Sequence, residues 1–347
     1  MFKLNKLRKT GIAIVIIVAV IFMLCSCSLQ MKDKKMPVKV LILPKFEAGE
    51  LAGDFPGEAQ YFYEEYLAGG DEFEINGVQD GNKLYYKDGV CMFIIGQGKV
   101  SAALSTSAVL LDERFDFSEA YILSIGCGGT AIGYGIPGDV FVISAAVDYD
   151  LGHQADPRDL DDRAGTTWFH DESYDESAFV YLDPDLTDRV YDMVKKVPLE
   201  TTEKTKDFLK REFPGEAWAQ RQPQVMLGTS VTGDNYWKGI YDHDNAVLIT
   251  ETYDCTDPFA VTEMEDVAVG VAVKNLGMIE RLIILRAGVN VDVFPDGVTP
   301  EMMWGPEDED SIASENSMES LDIFETAMKN YFNVGKVLID GILEGTL

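Results

Sequence analysis

Gly96-Gln97-Gly98-Lys99-Val100-Ser101-Ala102-Ala103 and Ser124-Ile125-Gly126-Cys127-Gly128-Gly129-Thr130-Ala131 are the two stretches on which the fold turns. Each is entered from a continuous apolar run, 90–95 for the first and 120–125 for the second. Apolar runs of this length without alternation suit strands buried on both faces. The small and apolar segment 102–111 that follows the first glycine pair predicts a helix. Glycines at such a strand-to-helix turn permit a tight bend and bare the first helical amides, where an anion can bind. Glycines after the second strand let a ligand approach the backbone, and in open α/β sheets ligands sit at the carboxyl ends of strands. The dinucleotide fingerprint is not met, because no third glycine is placed for it, and the Walker pattern is absent.

Working outward, the runs 38–43, 140–144, 225–229, 246–249 and 282–285 predict further strands, and 266–276 predicts a buried helix capped near Gly277. Strands alternating with helices imply an α/β layered fold. Two segments look inserted. The stretch of about 150–222 is acidic, aromatic and proline-bearing, with helices expected at 186–196 and 202–213. The stretch 295–320 carries the acidic run 307–310, which is expected to be a solvated loop. A last helix is expected over 318–343.

The N-terminus points to export. Lys3, Lys6, Arg8 and Lys9 form a basic head, and 12–24 is an uncharged apolar run of 13 residues. That is too short to span a bilayer, which takes roughly 20 residues, but fits a secretory leader. The Leu24-Cys25-Ser26-Cys27 that follows resembles a bacterial lipobox, which implies acylation of Cys27. Residues 1–27 are then a lipoprotein signal peptide, 28–36 a tether and 37–347 the working domain. The expected location is the extracytoplasmic face of the cell membrane, anchored by lipid. Without the leader the chain has 25 basic and 59 acidic residues, a formal charge of −34. That charge disfavours nucleic acid as a partner. Cys91, Cys127 and Cys255 do not make a disulfide framework, and His153, His170 and His243 lack metal-site spacing.

Taken together, GQGKVSAA, SIGCGGTA and the later Ile136-Pro137-Gly138-Asp139 resemble the nucleoside phosphorylase and methylthioadenosine nucleosidase superfamily. The resemblance to the purine nucleoside permease family within it covers nearly the whole mature chain. It includes Asp148-Tyr149-Asp150-Leu151-Gly152-His153 with Asp156 and Asp159, Gly233-Asp234-Asn235-Tyr236-Trp237, and Glu263-Met264-Glu265-Asp266. It implies a three-layer α/β sandwich with a central mixed sheet and a mostly helical insertion. It implies purine nucleoside binding and uptake or salvage at the cell surface, with N-glycosidic cleavage. The rival is a non-catalytic binding lipoprotein that feeds a separate transporter.

By the same resemblance, Gly126, Cys127 and Gly128 approach the nucleoside, Tyr236 and Trp237 line the base pocket, and Met264 and Glu265 contact the sugar. Glu58, in Pro56-Gly57-Glu58-Ala59, is favoured over Glu47 and Glu50 as the residue that activates water. Asn290, in Arg286-Ala287-Gly288-Val289-Asn290, stands where many relatives have an acid that protonates the leaving base. Asn donates a hydrogen bond but not a proton, which by the resemblance favours inosine- or guanosine-like bases or weaker catalysis, with Asp292, two residues on, as a candidate substitute acid. No cofactor or metal is implied. Phosphate as co-substrate stays open, although Ser124 replaces the phosphate-binding Arg, leaving Lys45 and Lys99 as anion holders. A homo-oligomer is compatible with the superfamily.

Overall fold

The computed structural model describes residues 34–78, 81–159, 166–304 and 318–347. The leader, Cys27 and the acidic run 307–310 lie outside the described residues. Ten strands form the main sheet: β1 (Val40–Leu43), β2 (Asp71–Glu74), β3 (Lys83–Lys87), β4 (Val90–Phe93), β5 (Tyr121–Thr130), β6 (Val140–Asp148), β7 (Phe179–Tyr181), β8 (Val225–Thr232), β9 (Phe259–Glu263) and β10 (Leu282–Val291). Their order is β7-β6-β8-β9-β5-β1-β4-β3-β2, and β10 pairs with both β5 and β6. β5 therefore runs parallel to β1 and β10 but antiparallel to β9, which makes the sheet mixed.

Successive side chains on a strand point to opposite faces, and β1 shows what each face buries. Val40 and Ile42 join a core with the C-terminal helix α6 (Met318–Glu344) and α2 (Pro184–Val194). Leu41 and Leu43 join a second core with α1 (Lys99–Leu110) and α5 (Asp266–Asn275). Helices on both faces make the expected three-layer sandwich. Residues 150–222 supply α2 and α3 (Glu203–Glu212), each started by a side-chain cap, Asp183 on the Leu186 amide and Thr202 on the Thr205 amide. They also supply β7 and a small antiparallel pair, Trp168–Phe169 on His153–Gln154.

One expected strand is a helix. Residues 246–249 lie inside α4 (Ile240–Thr252), where Asn245, Ala246, Ile249 and Thr250 form the buried face. Strands β2 and β3 do not follow from the sequence pattern. Both are short and charged, and β2, the outermost of the two, is a sheet edge where charge keeps another chain from pairing. Among the described residues no helix is long and apolar enough to cross a membrane.

Candidate nucleoside site

The carboxyl ends of β1, β4, β5, β9 and β10 converge on a cavity of about 520 Å³. Its floor begins where β1 ends. The Lys45 amide donates to Glu58 Oε2 at 2.7 Å, and the Cys127 amide donates to Glu58 Oε1 at 2.8 Å. Both Glu58 oxygens are thus aimed by backbone, and Tyr331 of α6 secures the Glu58 carbonyl at 2.5 Å. Burial pushes the Glu58 carboxyl above its usual range, with Lys45 and Arg286 opposing. The Lys45 ammonium is buried and donates to Ser124 Oγ at 2.7 Å and to the Leu43 carbonyl at 3.0 Å. Burial, with Arg286 nearby, lowers it to about 8.

Of the three glutamates after β1, only Glu58 lines the cavity. Glu47 is spent on the loop: its carboxylate accepts from the amides of Gly57, Ala59 (2.9 Å) and Gln60 (2.7 Å), which sets the turn that presents Glu58. Glu50 is exposed, its amide held by Asp54.

Arg286 organises the opposite wall. It is a charged residue inside the apolar run of β10 and only 1% exposed. Its Nη2 donates to Glu263 Oε2 at 2.8 Å, Glu265 Oε2 at 3.1 Å and Asp266 Oδ1 at 2.7 Å, and its Nε to Asp266 Oδ2 at 2.9 Å. Its Nη1 donates to the Cys127 carbonyl at 2.9 Å. A Cβ at Gly126 would lie 2.5 Å from Nη1 and 3.1 Å from Glu58 Oε1, so a glycine there is a requirement of the guanidinium's approach. Glu263 is saturated by the amides of Glu265 (2.6 Å) and Asp266 (2.8 Å), by Thr232 and by Arg286. Burial, together with Asp266, raises it to about 7.

At the Gly96–Gly98 turn, two amides are already taken by carboxylates of the chain itself. The Gly98 amide donates to Glu265 Oε1 at 3.0 Å and the Lys99 amide to Asp234 Oδ1 at 2.8 Å. The Lys99 ammonium is clamped by Asp148 (2.9 Å) and Asp150 (2.7 Å). The protein's own carboxylates occupy the positions expected for a phosphate. The gain is orientation: one Glu265 oxygen is fixed by the turn and the other by Arg286.

At the far end, the β10 ladder shifts register between Gly288 and Asn290, and Asn290 lines the cavity with Tyr236. Asn290 Nδ2 donates to the Tyr236 hydroxyl at 2.5 Å. Phe46, Phe55 and Phe324 make an aromatic wall, with Phe55 stacked on Phe324 at 5.9 Å. Of the residues singled out in the sequence, Glu58, Cys127, Gly128, Tyr236, Met264, Glu265 and Asn290 line this one cavity. Gly126 lies behind it.

Two residues depart from expectation. Trp237 turns into the core, stacked on Tyr149 at 5.3 Å and packed against Phe259. Asp292 turns away from the cavity: Oδ1 accepts from the Ile132 amide at 2.9 Å and Oδ2 meets His243 Nδ1 at 2.7 Å. It is therefore not placed to act as the substitute acid. Arg286 and Glu263 are functional residues beyond those expected from the motifs. The signal for Arg286 was its position, a lone charge in a buried strand that must have partners.

The model of the family described as "Purine nucleoside permease (NUP)" matches residues 37–346. A probable purine nucleoside permease of Schizosaccharomyces pombe is 28% identical over 278 residues, covering 73% of this chain and 76% of that protein. A purine nucleoside permease of Candida albicans is 29% identical over 164 residues, covering 43% of this chain and 40% of that protein. Among solved structures, the fold is shared with the 5'-methylthioadenosine/S-adenosylhomocysteine nucleosidase of Colwellia psychrerythraea in complex with adenine. There the TM-score is 0.53 at 16% identity, covering 89% of this chain and 97% of that one. The Neisseria meningitidis nucleosidase in complex with methylthio-immucillin-A gives a TM-score of 0.51 at 15% identity, over 87% and 99% of the two chains. The sequence motifs, the mixed-sheet sandwich and the family match over residues 37–346 agree, and the chain belongs to the purine nucleoside permease family.

Proposed function

We propose that the chain captures a purine nucleoside at the outer face of the cell membrane, held there by an acylated Cys27, and hydrolyses its N-glycosidic bond. The observation that carries cleavage is the placement of Glu58: a buried carboxylate aimed by two amides into the cavity that Glu265 also lines. Breaking the bond leaves positive charge on the sugar, and preorganised carboxylates stabilise such charge best in a site shielded from water. Glu265, fixed by Gly98 and Arg286, accepts from the ribose hydroxyls. Met264 packs beneath the sugar and Tyr236 against the base. Glu58 takes a proton from the attacking water.

Hydrolysis is favoured over phosphorolysis by charge. The Gly98 and Lys99 amides and the Lys99 ammonium are occupied by carboxylates. Arg286 is shared among three more. A phosphate dianion beside Glu58 and Glu265 would be repelled. Asn290 supports a second reading, binding without cleavage to supply a separate transporter, because it provides no proton for the leaving base. Incubating the full-length detergent-solubilised protein with inosine, guanosine and adenosine, with and without phosphate, tests both. Free base released equally in either buffer is the expected result. Base released only with phosphate overturns hydrolysis, and calorimetric binding with no base released selects the transport feeder.

A further inference from the structure

Resting on the hydrolytic reading above, we propose that the preferred substrates are N-ribosides whose base already carries a positive charge, the N-alkylpyridinium and 7-alkylpurinium ribosides. When the C1′–N bond of a neutral nucleoside breaks, the bonding electron pair leaves on the base nitrogen. The base then departs as an anion unless a proton is supplied. The side chain placed at the base end, Asn290, carries no transferable proton. The nearest carboxylate in sequence, Asp292, has one oxygen on the Ile132 amide and the other on His243.

Tyr236, bonded to Asn290, offers a phenol, a far weaker acid than a carboxyl, and the stronger acids of the cavity lie elsewhere. Lys45 is bonded to Ser124, and Ser124 pairs with Ile284 in the ladder where Gly129 pairs with Asn290. Five residues of strand separate the two ends, roughly 16 Å at about 3.3 Å per residue. Glu263 is saturated by its four partners.

A base that is already cationic needs no proton. Its bonding pair neutralises its own charge, water oxygen bonds to C1′, and the proton released from that water passes to Glu58. The products are ribose, a neutral base and one proton. The electrostatics favour the same class. Among the described residues, Glu58, Glu263 and Glu265 line the cavity and Asp266 lies behind it, against the two lining cations Lys45 and Arg286. A cationic nucleoside is drawn in, and its charge moves from base to sugar, toward Glu58 and Glu265, as the bond breaks.

The test compares kcat/KM of the full-length protein for 7-methylguanosine and nicotinamide riboside with that for guanosine and inosine, and repeats it with Asn290→Asp. The expected preference for the cationic substrates is about 100-fold or more, since a general acid typically contributes 10²–10⁴-fold. Asn290→Asp is expected to lower that preference at least about tenfold by raising guanosine turnover. The proposal is overturned if wild type cleaves guanosine within about threefold of 7-methylguanosine, or if a folded Asn290→Asp protein keeps the wild-type ratio. The wild-type ratio decides alone if the variant does not fold. Release of no base from any of the four overturns the hydrolytic reading itself.

Discussion

At the scale of single residues, the site is a balance among buried charges, and two substitutions probe it. Glu58→Gln keeps the shape but loses the proton acceptor. Base release is expected to fall about 10²-fold or more, while the calorimetric dissociation constant for nucleoside changes little. A variant that binds normally and cleaves normally would remove Glu58 from the mechanism. Because burial raises the Glu58 carboxyl and water activation needs the ionised form, the wild-type rate should rise with pH through that raised value and then level off. Arg286→Met strands Glu263, Glu265 and Asp266 without their cation. Breaking a buried pair costs about 3–5 kcal/mol, and part of that loss should return on acidification, as protons replace the guanidinium. Urea denaturation at two pH values measures both, and a loss that does not depend on pH would show that packing, not charge, is what Arg286 provides.

At the scale of elements, the loop between β1 and the first short helix (Gln60–Phe62) depends on Glu47. The amides of Gly57, Ala59 and Gln60 that it accepts do the work of a helix cap, and losing a cap costs about 1 kcal/mol, up to about 2. Glu47→Ala is therefore expected to cost that much stability and also to lower kcat more than it raises KM, since the same turn aims Glu58. An unchanged kcat would separate the loop's stability from its role in aiming. Element-level legibility in the sequence follows from burial. Central strands such as β1, β4 and β5 are apolar on both faces and read plainly, whereas β2 and β3 carry Asp71, Glu72, Glu74, Lys83 and Lys87 and look like loop. The run 246–249 reads as a strand because Asp242, His243 and Asp244 break the helical periodicity just before it. The glycine turn at 96–98 was legible as a bend. Its occupants were not, because Asp234 and Glu265 reach it from more than 130 residues away. Trp237 and Asp292 depart from expectation for a local reason: Trp237 follows Tyr236 in a loop, where neighbours can face opposite ways, and Asp292 lies one residue past the end of β10, where the two-residue alternation that would align it with Asn290 no longer holds.

At the scale of the whole molecule, the outside and the inside of the protein carry the same sign of charge for different reasons. The acidic surface sets solubility and disfavours nucleic acid, while the buried carboxylates form a site and make stability depend on pH. Burial raises Glu58, Asp139, Asp148, Glu263 and Asp292 alike. For Glu263, raised from 4.5 to about 7, the folded chain keeps a proton that the unfolded chain has released. The stability from that proton is complete below the unfolded value and is lost as pH climbs through about 7. Lys45, lowered to about 8, acts in a different window: the folded chain sheds its proton first, so its contribution falls as pH drops through that value. Between about pH 5 and pH 7 the carboxylates dominate, and self-repulsion of an acidic chain adds in the same direction. The urea midpoint is therefore expected to be higher at about pH 5.5 than at about pH 8, and Glu263→Gln should flatten the slope between them. A midpoint that rises from the lower to the higher pH would overturn the raised values of the buried carboxylates, because the surface carboxylates lowered by their partners, Asp112, Asp156 and Asp171, are ionised in the folded and unfolded chain alike over that range.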